Sequence, residues 1–166
     1  FGWTNTNDIS DGQSITINSS ISEGEIYKIE TGISGDFYLL ENHNKEGYMC
    51  KEPGEGLLIF HIGPDLKSKS YTNKINSSYP QQCYIVCAST TEREPSEDAS
   101  SYGEINSEGC PFPGSTKNNR FSNNTIPASI AFNGTPLNIT LDDISYDGDV
   151  VSFLFYGDNT EPPIVP

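Results

Sequence analysis

The chain has 166 residues, enough for one domain and little more. Nine basic side chains against 23 acidic ones leave a net charge of −14. That balance argues against nucleic acid or an anionic membrane surface as partner, since both need a positive face. No apolar run reaches the ~18 residues of a membrane-spanning helix, so membrane insertion is not expected.

The residue inventory favours strands. Ile outnumbers Leu 17 to 8, Ala occurs four times, and 15 Gly, 11 Pro and 15 Asn punctuate the sequence. Eight Phe and nine Tyr still supply a core, so the chain is expected to fold. In chain order, residues 1–12 read as a lead-in. Strands are then expected at Ser14–Asn18, Glu25–Thr31 and Phe37–Asn44. Gly56–Gly63 holds Leu57-Leu58-Ile59-Phe60-His61-Ile62, apolar on both faces, and reads as an interior strand. Cys83–Ser89 and the shorter Ile126–Phe132 follow. Asn138–Tyr146 and Asp149–Tyr156 flank Asp147-Gly148, a strong hairpin signal because both positions tolerate positive φ. About eight short strands imply an all-β chain, a β-sandwich of jelly-roll-like build over residues 13–157. Residues 158–166 read as a Pro-rich linker toward a downstream segment.

Four segments carry a resemblance. Phe37-Tyr38-Leu39-Leu40-Glu41-Asn42, followed by Gly56–Ile62, resembles the "YFLLENRQ…GLLIWHID" segment of immune inhibitor A-like secreted metalloproteases (peptidase family M-six). Gly109-Cys110-Pro111-Phe112-Pro113-Gly114 is similar to that family's "GDxFPG", and Leu137–Phe155 to its closing "I.NI…DG.I.F.F" strands. The likeness spans about residues 14–156 in the same order. His43 stands where the family usually has Arg, Gly63 where it has Asp, and Cys110 where it has Asp. The zinc signature His-Glu-x-x-His is absent from this sequence, which contains only His43 and His61. The resemblance therefore implies the non-catalytic portion beyond the active-site domain, with catalytic zinc confined to an upstream region. It implies a secreted or cell-surface protein, partnered by a protease core of the same polypeptide or by a protein substrate. Glu41, Asn42, His43 and His61 are the interaction face it suggests.

Other constellations have bland and sharp readings. His61, inside an apolar run, reads first as a hydrogen-bonded core histidine and only second as a ligand. Cys50, Cys83, Cys87 and Cys110 form an even set that an extracellular setting would oxidise. If Cys83 and Cys87 share one strand they lie ~13 Å apart, beyond the ~7 Å reach of a disulfide. Two pairings remain: Cys50–Cys83 with Cys87–Cys110, or Cys50–Cys87 with Cys83–Cys110; the alternative is four free thiols. Calcium could use Glu92, Glu94, Glu97 and Asp98, or Asp142, Asp143, Asp147 and Asp149, although neither spacing is that of an EF-hand. Trp3, Tyr71, Tyr79 and Tyr102 fall in polar segments and could stack on sugar rings, so a glycan- or protein-binding module is the rival reading. No catalytic residue is assigned.

Overall fold

The structure is a computed structural model that describes residues 6–18, 25–45 and 53–157. Among the described residues it is nearly all β, with eight strands in two sheets. The strands are β1 (Thr6–Asp8), β2 (Ser14–Ile17), β3 (Ile26–Glu30), β4 (Phe37–His43), β5 (Gly56–Ile62), β6 (Cys83–Ile85), β7 (Thr140–Tyr146) and β8 (Val151–Tyr156). Among the described residues one short helix, α1 (Leu66–Ser70), and a 3₁₀ turn at Ala99–Tyr102 lie between them. The larger sheet has the order β1-β3-β4-β5-β6, and the smaller one β2-β8-β7. An all-β sandwich of eight strands is thus what the composition leads one to expect. Within the larger sheet β3 to β6 run as an antiparallel meander, whereas a jelly roll is wound from Greek keys.

The core lies between the sheets. Ile15 and Ile17 of β2, with Val151, Phe153 and Phe155 of β8, face Ile29, Tyr38, Leu40, Leu57 and Ile59. Each set is the every-second-residue set of its strand, which is why one sheet face buries apolar side chains. Phe112 and Phe121 join the same cluster from the long connection between β6 and β7.

Four expectations change in detail. The lead-in is not separate, because β1 pairs in parallel with β3, Thr6 opposite Ile26. The Cys83–Ser89 strand stops at Ile85. Val86 N–H still donates to Ile59, but Phe112 then takes the place beside Leu57, with hydrogen bonds of 2.8 and 2.9 Å. Ile126–Phe132 is not a strand. The Tyr38 hydroxyl bonds both the N–H and the carbonyl of Ile130, so that segment's backbone is satisfied without a ladder. The Asp147-Gly148 link is a four-residue turn between Tyr146 and Val151. Asp147 Oδ1 accepts from the N–H groups of Asp149 and Val150 at 3.1 and 2.9 Å, and Gly148 takes φ 106°.

Candidate functional site

The two outer faces of the sandwich differ in chemistry. On the smaller sheet, register places Ser14 and Thr16 beside Ser152 and Leu154, with Asp142 and Ser145 on the far strand. That face is mostly hydroxyl and carboxylate. On the larger sheet, rows across the ladder are Ile26–Glu41–Leu58, Lys28–Leu39–Phe60–Ile85, and Glu30–Phe37–Ile62–Cys83. Seven of these eleven side chains are aliphatic or aromatic. Ile62 is buried, but Ile26, Phe37, Leu39, Leu58, Phe60 and Ile85 are only half-buried. None of those six belongs to the core cluster or packs against it. The face arises because β4 and β5 carry apolar residues at both odd and even positions. One set fills the core and the other points away from it.

Few charges interrupt this face. Lys28 Nζ sits 4.3 Å from the Phe37 ring centroid and pairs with Glu30, so its charge is spread along one edge. Glu41 is half-buried among apolar neighbours, and burial pushes its carboxyl above the usual carboxylate range. Toward β6 the face runs into a groove of about 420 Å³ lined by Phe60, Cys83, Ile85, Tyr79, Tyr102 and Ile105. Tyr79 and Ile105, 49% and 47% exposed, are its most solvent-accessible apolar side chains.

Behind the groove lies a buried polar centre. Asp36 Oδ1 is 2.8 Å from His61 Nε2, and Asp36 Oδ2 accepts from the Phe132 N–H at 2.7 Å. His61 Nδ1 is 2.6 Å from the Tyr84 hydroxyl. A carboxylate can only accept, so Nε2–H donates to Asp36 and Nδ1 accepts from Tyr84. Burial keeps the Tyr84 phenol protonated, raising its pKa well above the ordinary value. Burial alone would also raise Asp36, but hydrogen bonds from His61 and the Phe132 N–H outweigh it and hold its pKa below the ordinary value. The His61 ring stacks on Tyr38 with centroids 4.3 Å apart. Asp36 and His61 are 0% and 1% exposed, so this carboxylate–imidazole pair cannot touch a substrate. It satisfies buried polar atoms across four segments of chain, those of Asp36, His61, Tyr84 and Phe132.

The residues singled out from the sequence divide accordingly. His61 is the hydrogen-bonded core histidine that the bland reading expects. The interaction face expected at Glu41, Asn42, His43 and His61 is corrected. Asn42 and His61 point into the sandwich and are buried; His43 is buried too, although it falls in the same alternate set of β4 as Glu41, which lies on the outer face. Asn42 Nδ2 donates to the carbonyls of Ile17 and Asp149 at 3.0 and 2.7 Å, tying the two sheets together. Tyr79 and Tyr102 come together at the groove, whereas Tyr71 stands alone after α1 at 81% exposure. Trp3 and Cys50 lie outside the described residues. Cys83, Cys87 and Cys110 are free thiols, with Cys83 half-buried on the outer face.

Neither acidic group gathers as a calcium site would require. Asp147 is engaged by its own turn, Asp142 faces Arg120 at 3.4 Å, and Asp98 caps Ser100. Among the described residues no three His, Cys, Asp or Glu side chains are placed to hold a metal ion. Among them, too, no helix is long and apolar enough to cross a membrane.

Sequence reasoning missed Asp36, which follows Gly35 and reads as turn chemistry. It also missed the outer apolar stripe. The signal for the stripe was present, since Leu57–Ile62 is apolar at every position except His61. No family model, no curated protein and no solved structure matches this chain.

Proposed function

We propose that this chain is a non-catalytic accessory β-sandwich domain of a secreted metalloprotease-related protein, and that it docks on the protease core through the outer face of β3–β6. The observation that carries the reading is the contrast between the two outer faces. A sheet exposed to water on one side alternates apolar and polar residues, as the β2-β8-β7 sheet does. The β3–β6 sheet keeps apolar residues on both sides, the pattern of a sheet covered on both faces. The motif segments Phe37–Asn42 and Gly56–Ile62 are the two central strands of that face, so resemblance and geometry meet in one place. With a net charge of −14, the fitting partner surface has an apolar centre and a basic rim.

The test has two parts. The coding sequence upstream of Phe1 is expected to contain His-Glu-x-x-His; only further β-rich modules there would overturn the reading. In the full-length protein, Leu58→Glu and Phe60→Glu are expected to free the sandwich from the core, seen as protease nicking between the two. The same changes should shift the urea midpoint of the isolated chain little, because neither side chain packs in its core. An unchanged digestion pattern would sink the docking face. Retention of the isolated chain on a glycan array would favour the rival binding module, because Tyr79 and Tyr102 share a groove.

A further inference from the structure

Cys87 and Cys110 come from segments that are 23 positions apart in the sequence, yet the backbone places them side by side. Where β6 ends, the chain turns away from β5, and Ala88 N–H donates to the Cys110 carbonyl at 2.9 Å. Two residues on, Phe112 exchanges both backbone hydrogen bonds with Leu57. Hydrogen bonds on both sides of the pair therefore fix its register. The two thiols are near enough to shift each other's acidity, but their sulfurs do not stand at disulfide distance, so a side-chain rotation must bring them together. Cys87 Sγ also lies 3.2 Å from the Ser89 hydroxyl. Both side chains are 1% exposed, and no metal-binding group includes them.

We propose that Cys87 and Cys110 close as a disulfide when the chain folds in the presence of a small-molecule disulfide oxidant, cross-linking the 103–114 loop to the edge of the β3–β6 sheet. Of the two pairings left open by the sequence, the geometry favours the one with this bond. Cys83 lies on the outer face of β6, opposite Ile62, and is directed away from both.

The exchange balances in two steps. The Cys87 thiolate attacks one sulfur of the oxidant RSSR, forming a mixed disulfide and expelling RS⁻. Cys110 then loses its proton, and its sulfur attacks Cys87 Sγ. The Sγ–Sγ bond forms, the mixed disulfide breaks, and a second RS⁻ leaves. The two thiol protons end on two RSH, and the protein is oxidised by two electrons. Roles follow from the contacts. The nearby Cys110 thiol comes first, and hydrogen bonds from Ser89 add to it; together they hold Cys87 below the usual thiol range, while the same pairing pushes Cys110 up. Access in the native state is poor. A Cβ at Gly103 would stand 3.1 Å from Cys87 Sγ, so the loop covers the pair, and exchange is expected during folding.

The test is peptide mapping of the chain refolded in reduced and oxidised glutathione, then denatured and blocked with N-ethylmaleimide without reductant. Chymotryptic cleavage after Tyr84 separates Cys83 from Cys87. The expected product joins the Cys87 and Cys110 peptides, in the wild type and equally in Cys50→Ser and Cys83→Ser, and it disappears on reduction. Finding both residues carrying the maleimide, or Cys110 joined to Cys83 or Cys50, would overturn the proposal. The wild-type map decides the matter even if a cysteine variant fails to fold.

Discussion

Replacing Asp36 with Ala removes an acceptor that serves two donors. Asp36 is 0% exposed and binds His61 Nε2 at 2.8 Å and the Phe132 N–H at 2.7 Å. His61, at 1% exposure, has no water to turn to. An orphaned buried donor costs about 1–3 kcal/mol, and bonds to a charged acceptor lie toward the upper end. Two such losses, with the small cavity, make about 3–5 kcal/mol. A domain of this size has about 5–15 kcal/mol of stability in all, so the variant should be visibly crippled. Asp36→Asn is gentler. Its Oδ1 serves one donor while its Nδ2 confronts the other, for about 1–3 kcal/mol. The pH dependence separates these interactions from simple packing. Asp36 has a folded pKa below its unfolded value of about 3.9, so its stabilisation is complete above that value. It is lost as pH falls through the folded pKa. Urea unfolding followed by circular dichroism, at pH 7 and in steps down to about pH 3, reads both quantities. The gap between wild type and Asp36→Asn should narrow over that window. A cost for Asp36→Ala below about 1 kcal/mol would refute the reasoning, as would a gap independent of pH.

Three further outcomes are expected. Glu41→Gln should raise the urea midpoint at pH 7 and bring no gain near pH 4; burial raises the Glu41 pKa, so its charged form is a cost that appears only as pH rises. Asn42→Ala should lower stability by about 1–3 kcal/mol, because the carbonyls of Ile17 and Asp149 lose a shared buried donor; an unchanged midpoint would argue against that bridge between the sheets. Gly56→Ala should cost about 1–3 kcal/mol or more, since Gly56 has φ 131° and a Cβ there would stand 2.3 Å from the Phe112 carbonyl oxygen; hydrogen exchange at the Leu57 and Phe112 amides should accelerate with it.

The strands were legible because their chemistry is local. Alternation in Ser14–Ile17 and Val151–Tyr156, and the apolar runs of Phe37–Leu40 and Leu57–Ile62, locate four strands to within a residue or two. The Cys83 run was legible only at its start. Its true end at Ile85 depends on Phe112, a residue far along the chain that occupies the next place beside β5. The Ile126–Phe132 run failed for a related reason, since Tyr38 supplies from another strand the bonds that a ladder would have supplied.

By itself the sequence determined the class of fold, the approximate strands and the strongly acidic charge, because propensity, period and composition need no partner. It also held the four cysteines and both histidines without saying which would meet. Tertiary structure alone decided that His61 faces Asp36 and Tyr84, that Cys87 lies against Cys110, and that the second apolar face of β3–β6 looks outward. The physical reason is that a period of two tells which residues share a face, but only the packing of one sheet on the other chooses which face becomes the core.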